Sequence, residues 1–280
     1  MPSTQQSGRT PCDHELPLHV AEALSQTEAP DPAMVKRFQS ITGALLYCSG
    51  NTRPDVAFAV SMLCRCMSKP TPQLYDDALR VLAYLHRHRH VGLRYQADKF
   101  PLRGQSDSDW GVRHSVSGWQ FSYSHATVSW GSQKQPSVAL SSCEAEIMAA
   151  SVAATEALFL RTFLGELGHP QEEPTEMGMD NQAAIAIEYN PEHHSRMKHV
   201  DRRHFFMREC VENLQLRVPF VKTVDNMADF FTKPLPSKQF FRMRDTLMNV
   251  PRCVPDQAPW EDDKWRRPTV LSRLRTVASP

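Results

Sequence analysis

Apolar residues recur at helical spacing along three early stretches, and past Gly92 the pattern switches to that of short extended segments. Val35, Phe38, Ile41, Leu45 and Leu46 share one face of a helix that begins near Met34 and is closed by Ser49-Gly50. Thr52-Arg53-Pro54-Asp55 reads as the next helix start, with Pro near the first turn and Asp55 favourable to the helix dipole. Val56, Ala59, Val60, Leu63 and Met67 then line its inner face. After the break at Pro70-Thr71-Pro72, a third helix turns Leu74, Ala78, Val81, Leu82 and Leu85 inward and runs into His86-Arg87-His88-Arg89-His90. That basic tip reads first as a solvated helix end. Residues 1–33 are polar, carry prolines and show no sustained periodicity, which predicts a disordered lead-in.

Leu102–Asp109, Gly118–Ser124 and Thr127–Ser132 are strand candidates joined by short polar turns, which predicts an antiparallel meander. The longest helical stretch follows, from Cys143 to about Leu167, with Ser141-Ser142 as its cap and Gly168 and Pro170 as its end. Glu176–Asp180 reads as a strand leading into a helix over Ala183–Ile187, and a further helix spans about His199 to Leu214. Leu216–Val221 is the last strand candidate, and from Asp225 a terminal helical region begins. Beyond Val250 the pattern fades into a loose tail, 251–280. The resulting order is an α/β sheet with an antiparallel edge and helical crossovers, over about 100–250, preceded by a helical segment over 34–95 that is expected to pack on it.

At 280 residues the chain can bury a full core, and 41% apolar with 22% charged residues fits a soluble globular protein. The net charge of +1 excludes a strongly basic binder overall, so any nucleic-acid surface has to be local. No apolar run approaches the ~20 residues of a bilayer span, and the first 30 residues lack a signal-peptide apolar segment, so neither a membrane nor secretion is expected. The cysteines number seven, none in a CxxC pair, which points to thiols in a reducing compartment. His193, His194, His199 and His204 have no Cys or His at finger spacing beside them and make no zinc site.

The candidate chemistry lies in carboxylates. Asp107 and Asp109, in Gly104-Gln105-Ser106-Asp107-Ser108-Asp109-Trp110, project from the same face of an extended chain. Buried together, such a pair calls for a hard divalent cation; exposed in a turn, it calls for nothing. Glu146 borders a small apolar helix face of Ala149, Ala150 and Ala153, an unusual place for an acid, although a helix rim is its ordinary explanation. Asp180 ends a strand where ligands of open α/β sheets collect, yet Asp at that position more commonly caps a helix. Asp229, read at the start of the last helix, has an ordinary dipole role as well. Taken together they can form a Mg²⁺ cluster of the kind that drives in-line phosphodiester displacement.

Several motifs resemble the ribonuclease H domain of copia-type LTR retrotransposon Pol polyproteins. They are Gly104–Trp110, Ser115–Gly118, Thr127–Glu146, Met179-Asp180-Asn181-Gln182-Ala183-Ala184-Ile185, His194–Asp201 and Ala228-Asp229-Phe230-Phe231-Thr232-Lys233-Pro234-Leu235. Upstream, Ile41–Tyr47, Thr52–Ala57 and Arg80–Leu85 are similar to the stretch that precedes that domain. The resemblance, running from about Val35 to Val250, implies a ribonuclease H-like mixed five-stranded sheet of order 3-2-1-4-5 with flanking helices. It implies Mg²⁺-dependent endonucleolytic cleavage of the RNA strand of RNA–DNA hybrids during reverse transcription, beside the reverse transcriptase domain of the same polyprotein. Two ions are implied, with Mn²⁺ as the other candidate, held by Asp107, Glu146, Asp180 and Asp229, with Asp109 as an auxiliary. The cytoplasm is the expected compartment, with virus-like particles or the nucleus as the other settings.

Lys198, Arg202 and Arg203 are the candidates for a phosphate-facing surface. Against the family pattern, the segment from Trp110 to Ser117 is short and lacks the usual acids, and there is no Tyr-x-Asp-Asp polymerase stretch; the histidine that cellular ribonucleases H carry before the final acid is missing too, an absence that copia-type domains commonly share. The short turn and the missing polymerase mark a C-terminal fragment of such a polyprotein and frame the competing reading, a catalytically inactive or host-retained remnant that binds nucleic acid or protein without cleavage. A 3′–5′ exonuclease of related fold is disfavoured because the first pair is Asp107-Ser108-Asp109 rather than Asp-x-Glu.

Overall fold

The computed structural model describes residues 10–97, 100–110, 115–189 and 201–251. The stretch read as a disordered lead-in departs from expectation: within it, Leu16–Ser25 forms a helix, α1, that buries Leu16, Val20 and Ala23. Three apolar positions are too few to announce a helix on their own. Its partners fix it instead, since His19 Nδ1 lies 2.8 Å from Asp77 Oδ2, Arg80 pairs with Asp13, and the Lys69 ammonium donates to Gln26 O at 3.1 Å. The expected tail from 252 lies outside the described residues.

Asp31 starts α2 (Pro32–Asn51) by accepting the Ala33 N–H at 3.0 Å, with Pro32 at the first position where no N–H is needed. A 3₁₀ turn at Pro54–Val56 leads into α3 (Ala57–Cys64), and the Thr71 hydroxyl, accepting from Leu74 N at 3.2 Å, caps α4 (Pro72–Arg87). Phe38, Leu63, Leu74 and Tyr84 meet in the middle of these helices, fully buried.

The sheet comprises β1 (Arg103–Asp109), β2 (Val116–Tyr123), β3 (Ala126–Lys134), β4 (Thr175–Gly178) and β5 (Leu216–Arg217). Its order is β3-β2-β1-β4-β5, with β1–β2–β3 antiparallel and β1–β4–β5 parallel, the ribonuclease H-like arrangement implied above. The last strand is shorter than the expected Leu216–Val221. Pro219 has no N–H to give a ladder, and pairing resumes only as a single bridge between Met179 and Phe220.

The two faces of the sheet are covered differently. Gly104, opposite Phe121, belongs to the face under α5 (Ser142–Glu166), whose Ile147, Ala150, Ala153, Ala154 and Ala157 pack there as a close-fitting small-residue stripe. By length and composition α5 is apolar enough to cross a membrane, contrary to the expectation that no run approaches that length, but these residues are spent on the sheet. Beside it stand α6 (Gln182–Tyr189) and α7 (Asp201–Glu212). Gln105 and Asp107, alternating with Gly104, belong to the opposite face with their partners Gln120 and Gly118. That face is covered by a 3₁₀ turn (Met227–Phe231), by α8 (Ser237–Leu247) and by the N-terminal helices. Phe230, Phe231, Phe240, Met243 and Leu247 enter the same core as Leu63 and Tyr84, and the Trp130 indole of β3 donates to Ser49 O at 2.8 Å. The helical segment thus packs on the sheet, as expected. No disulfide joins any of the described cysteines.

Gly118 is where that cover comes closest. A Cβ there would stand 2.6 Å from Thr232 Cγ2 and 3.0 Å from the Ala228 carbonyl oxygen. Gly118→Ala is therefore expected to destabilise the protein by about 1–3 kcal/mol, the usual range for forced overpacking, seen as a lowered urea midpoint at unchanged m-value.

Candidate metal centre

The site forms where β1 ends, between the N-terminal part of α5 and the 3₁₀ turn on the opposite face. Asp107 is 3% exposed although it lies near a strand end, because Gly118 beside it lets Thr232 approach. The Thr232 hydroxyl donates a short hydrogen bond to Asp107 Oδ2. Ser141 accepts the Glu144 N–H at 3.1 Å and so starts α5, which places Glu146 at the beginning of its second turn, where its Oε1 accepts the Ser108 N–H at 3.4 Å. The other oxygen, Oε2, is buried without a hydrogen-bond partner.

Asp180 follows β4. Met179 N donates to Pro219 O at 3.1 Å and Val221 N to Met179 O at 2.8 Å, which holds the chain straight up to it. The capping role weighed for Asp180 falls to its neighbour: Asn181 Oδ1 accepts the Ala184 N–H of α6 at 3.1 Å. Asp180 stays half-buried and turns to the other acids. Carboxylate oxygens of Asp107, Glu146 and Asp180 all lie within 4.8 Å of one another.

Asp229 is brought in from the other side. It belongs to the separate 3₁₀ turn and not, as expected, to the start of the terminal helix, because Asn226 caps that turn by accepting the Ala228 N–H at 3.1 Å. The same Asn226 donates to Ser106 O at 3.1 Å, and Gln105 Oε1 accepts the Met227 N–H at 2.6 Å, so β1 itself staples the turn beside Asp107. Asp229 is 2% exposed and does not join the three-acid group; its Oδ1 lies 2.8 Å from the Lys233 ammonium. Lys233 Nζ also stands 3.9 Å from Asp107 Oδ2.

Burial, reinforced by the charges of Asp107 and Asp180, pushes the Glu146 carboxyl up to about 8. Burial and then Asp107 push Asp229 up to about 7 against the pull of Lys233. Burial works against the Lys233 ammonium, but Asp107 and Asp229 outweigh it and hold its proton more firmly than usual. The three-acid group is short of positive charge, and the buried unpartnered Oε2 of Glu146 fits a hard cation that takes oxygen ligands. Asp109 is exposed at the strand end and lies outside the three-acid group.

Of the basic candidates, Lys198 lies outside the described residues, as do His193, His194 and His199. Arg202 and His204 are in α7, but their side chains are not among those described. Arg203 is half-buried and lines a small hollow with Ser117, Gln135, Pro136 and Met148. Thr232 and Lys233 had no role assigned from sequence, although they fall inside the Asp229 motif; an i, i+4 acid–lysine pair there was the available signal.

No family model matches the chain. Several curated relatives match most of it, among them two transposon polyproteins of plants. The retrovirus-related Pol polyprotein from transposon TNT 1-94 of Nicotiana tabacum is 35% identical over 207 residues, 72% of this chain and 16% of that polyprotein. The Pol polyprotein from transposon RE2 of Arabidopsis thaliana is 34% identical over 244 residues, 85% of this chain and 16% of the relative. The chain thus spans about a sixth of their length. Among solved structures, ribonuclease H1 of Halobacterium salinarum is similar with a TM-score of 0.38 at 14% identity, over 48% of this chain and 95% of that one. The assignment of the fold rests on the strand order and directions of the sheet itself. By its kinship with these transposon polyproteins, the chain belongs to the copia-type, retrovirus-related Pol polyproteins, of which it carries the ribonuclease H-type domain.

Proposed function

We propose that the chain is a divalent-metal-dependent ribonuclease H that hydrolyses the RNA strand of RNA–DNA hybrids, working beside the reverse transcriptase domain of a copia-type polyprotein. The convergence of Asp107, Glu146 and Asp180 at the end of β1 is the observation that carries it. The all-oxygen donor set suits Mg²⁺, with Mn²⁺ as a substitute. A bound ion of this kind neutralises charge on a phosphate and lowers the pKa of a water to make a nucleophile.

The chain's own residues supply placement. Asp107 and Asp180 would hold the cation most directly, and Glu146, fixed by Ser108 N, would complete the donor set with its unpartnered Oε2. Thr232 fixes the Asp107 carboxylate by its hydrogen bond. Asp229 and Lys233 form the flank on the opposite side. With a net charge of +1, the chain has no general affinity for polyanions, so recognition rests on local phosphate and 2′-hydroxyl contacts rather than on base reading.

The test uses a labelled RNA–DNA hybrid with Mg²⁺. Cleavage confined to the RNA strand is expected, and Asp107→Asn or Asp180→Asn should lower its rate by about 10³-fold or more. A folded chain that binds the hybrid without cutting it, or cutting that survives both substitutions, overturns the proposal.

A further inference from the structure

Trp110, Val138 and Leu140 are 55%, 54% and 79% exposed, three apolar side chains open to solvent beside a centre made of acids. Trp110 follows Asp109 at the end of β1, and Val138 and Leu140 stand on the segment leading to Ser141, the cap of α5. The Trp110 indole donates to Ala139 O at 3.3 Å, so the strand end and this segment make one surface. Its underside is fixed. Ala139 is buried with Ala145 and Met148 of α5, and Leu140 N donates to Glu144 Oε2 at 2.7 Å. Gln135 N donates to Ser115 O at 2.8 Å, and Gln135 Nε2 to Ala145 O at 2.9 Å. Apolar side chains held out together in this way mark a surface that a partner covers.

We propose that Trp110, Val138 and Leu140 form a platform at the rim of the metal centre that receives deoxyribose rings of the DNA strand, and so selects an RNA–DNA hybrid over double-stranded RNA. This deepens the ribonuclease reading above and rests on it. The platform is continuous with the three-acid group, since Asp107 shares β1 with the residue before Trp110 and Glu146 lies in the helix that Ser141 caps. A duplex whose scissile phosphate reaches the acids lies across it. The three side chains carry no cation, so they do not serve phosphate. Paired bases are stacked out of reach, and a wide, shallow minor groove offers sugar edges instead. An apolar surface covers the C2′ methylene of deoxyribose without loss. A ribose hydroxyl pressed against it would give up its hydrogen bonds to water. The contact therefore favours the DNA strand and works against a second RNA strand.

The test measures binding of the full chain by fluorescence anisotropy on two labelled duplexes of one sequence. The first is a 2′-O-methyl RNA–DNA hybrid that resists cleavage, and the second has RNA in place of the DNA strand. Wild type should favour the first by about 10-fold or more, Trp110→Ala should weaken that binding by about 10-fold, and the second duplex should change by less than about 2-fold. Leu140→Ser should shift the ratio in the same direction. No preference in the wild type, equal weakening on both duplexes, or an unchanged ratio in the variants overturns the platform and leaves the nuclease reading intact. A wild type that binds neither duplex overturns the nuclease reading itself. Unchanged urea m-values show that the variants are folded, and should Trp110→Ala not fold, the double variant Val138→Ser with Leu140→Ser takes its place under the same expectation.

Discussion

Glu146→Gln is expected to slow hybrid cleavage by about 10²–10³-fold and, in the same molecule, to raise the melting temperature of the metal-free protein at alkaline pH. The two effects have one cause. Glu146 is 6% exposed, with one oxygen unpartnered and two further carboxylates close by. Its carboxyl is raised from 4.5 to about 8, so the folded state holds a proton that the unfolded state releases. A raised acid makes stability greatest below its unfolded value and loses it as pH climbs to the folded one, at a slope of up to about 1.4 kcal/mol per pH unit. Asp229, raised to about 7, has the same sign.

Metal-free wild type should therefore melt progressively lower between pH 5 and 8.5, and Glu146→Gln should lose the larger part of that slope. A gap of a few kcal/mol at pH 8.5 corresponds to roughly 5–10 °C for a domain of this size. Added Mg²⁺ or Mn²⁺ should lift the wild type and leave the variant nearly unmoved, because the ion binds the deprotonated carboxylate. Calorimetric scans at the two pH values, with chelator and with metal, decide the matter. A variant that melts below wild type at pH 8.5 without metal would show that Glu146 is not a strained ligand.

Asp55→Ala is expected to cost about 3–5 kcal/mol, the loss typical of breaking a buried ion pair from one side. The Asp55 carboxylate accepts Arg53 Nε at 2.8 Å and Nη2 at 2.7 Å, and the Tyr84 hydroxyl at 2.7 Å. Arg53 also donates Nη1 to His88 O at 3.1 Å, so the group ties the start of α3 to the end of α4. Its removal would strand a guanidinium that is only 8% exposed. Tyr84→Phe removes one donor to that carboxylate and should cost only about 1–2 kcal/mol. The loss should reach the metal centre, since Tyr84 packs edge-on against Phe240 of α8, and Phe240 stacks at 4.9 Å on Phe230, next to Asp229. Urea unfolding would measure the first effect and hybrid cleavage the second. An Asp55→Ala midpoint within 1 kcal/mol of wild type would reduce the network to a bystander.

Local patterning made much of this architecture legible. The meander, the long α5 with its Ser141 cap, and the small face beside Glu146 all follow from spacing, and the five-strand order follows from the resemblance. What was hidden depends on contacts distant in sequence. α1 has too few apolar positions to show a period and is held by Asp77, Lys69 and Arg80. The placement of Asp229 in its own turn follows from Asn226 and Gln105, which lie about 120 residues apart and bond each other's neighbourhoods. The Thr232 bond and the Lys233 ion pair reach Asp107 across a comparable separation. Pro219, which cuts β5 short, was visible in the sequence, but only its neighbours' register shows that it ends the ladder.

The shared core of the N-terminal helices and α8 bears on how such a chain can be inherited. Phe230 and Phe231 flank the final acid and are buried by residues that precede the sheet. A recombination break near residue 97 would hand on all the acids and still bare the aromatic bed on which Asp229 rests. Exchange between related elements should therefore succeed at points upstream of α1 and fail between α4 and β1, making the helices and the nuclease sheet a single heritable unit.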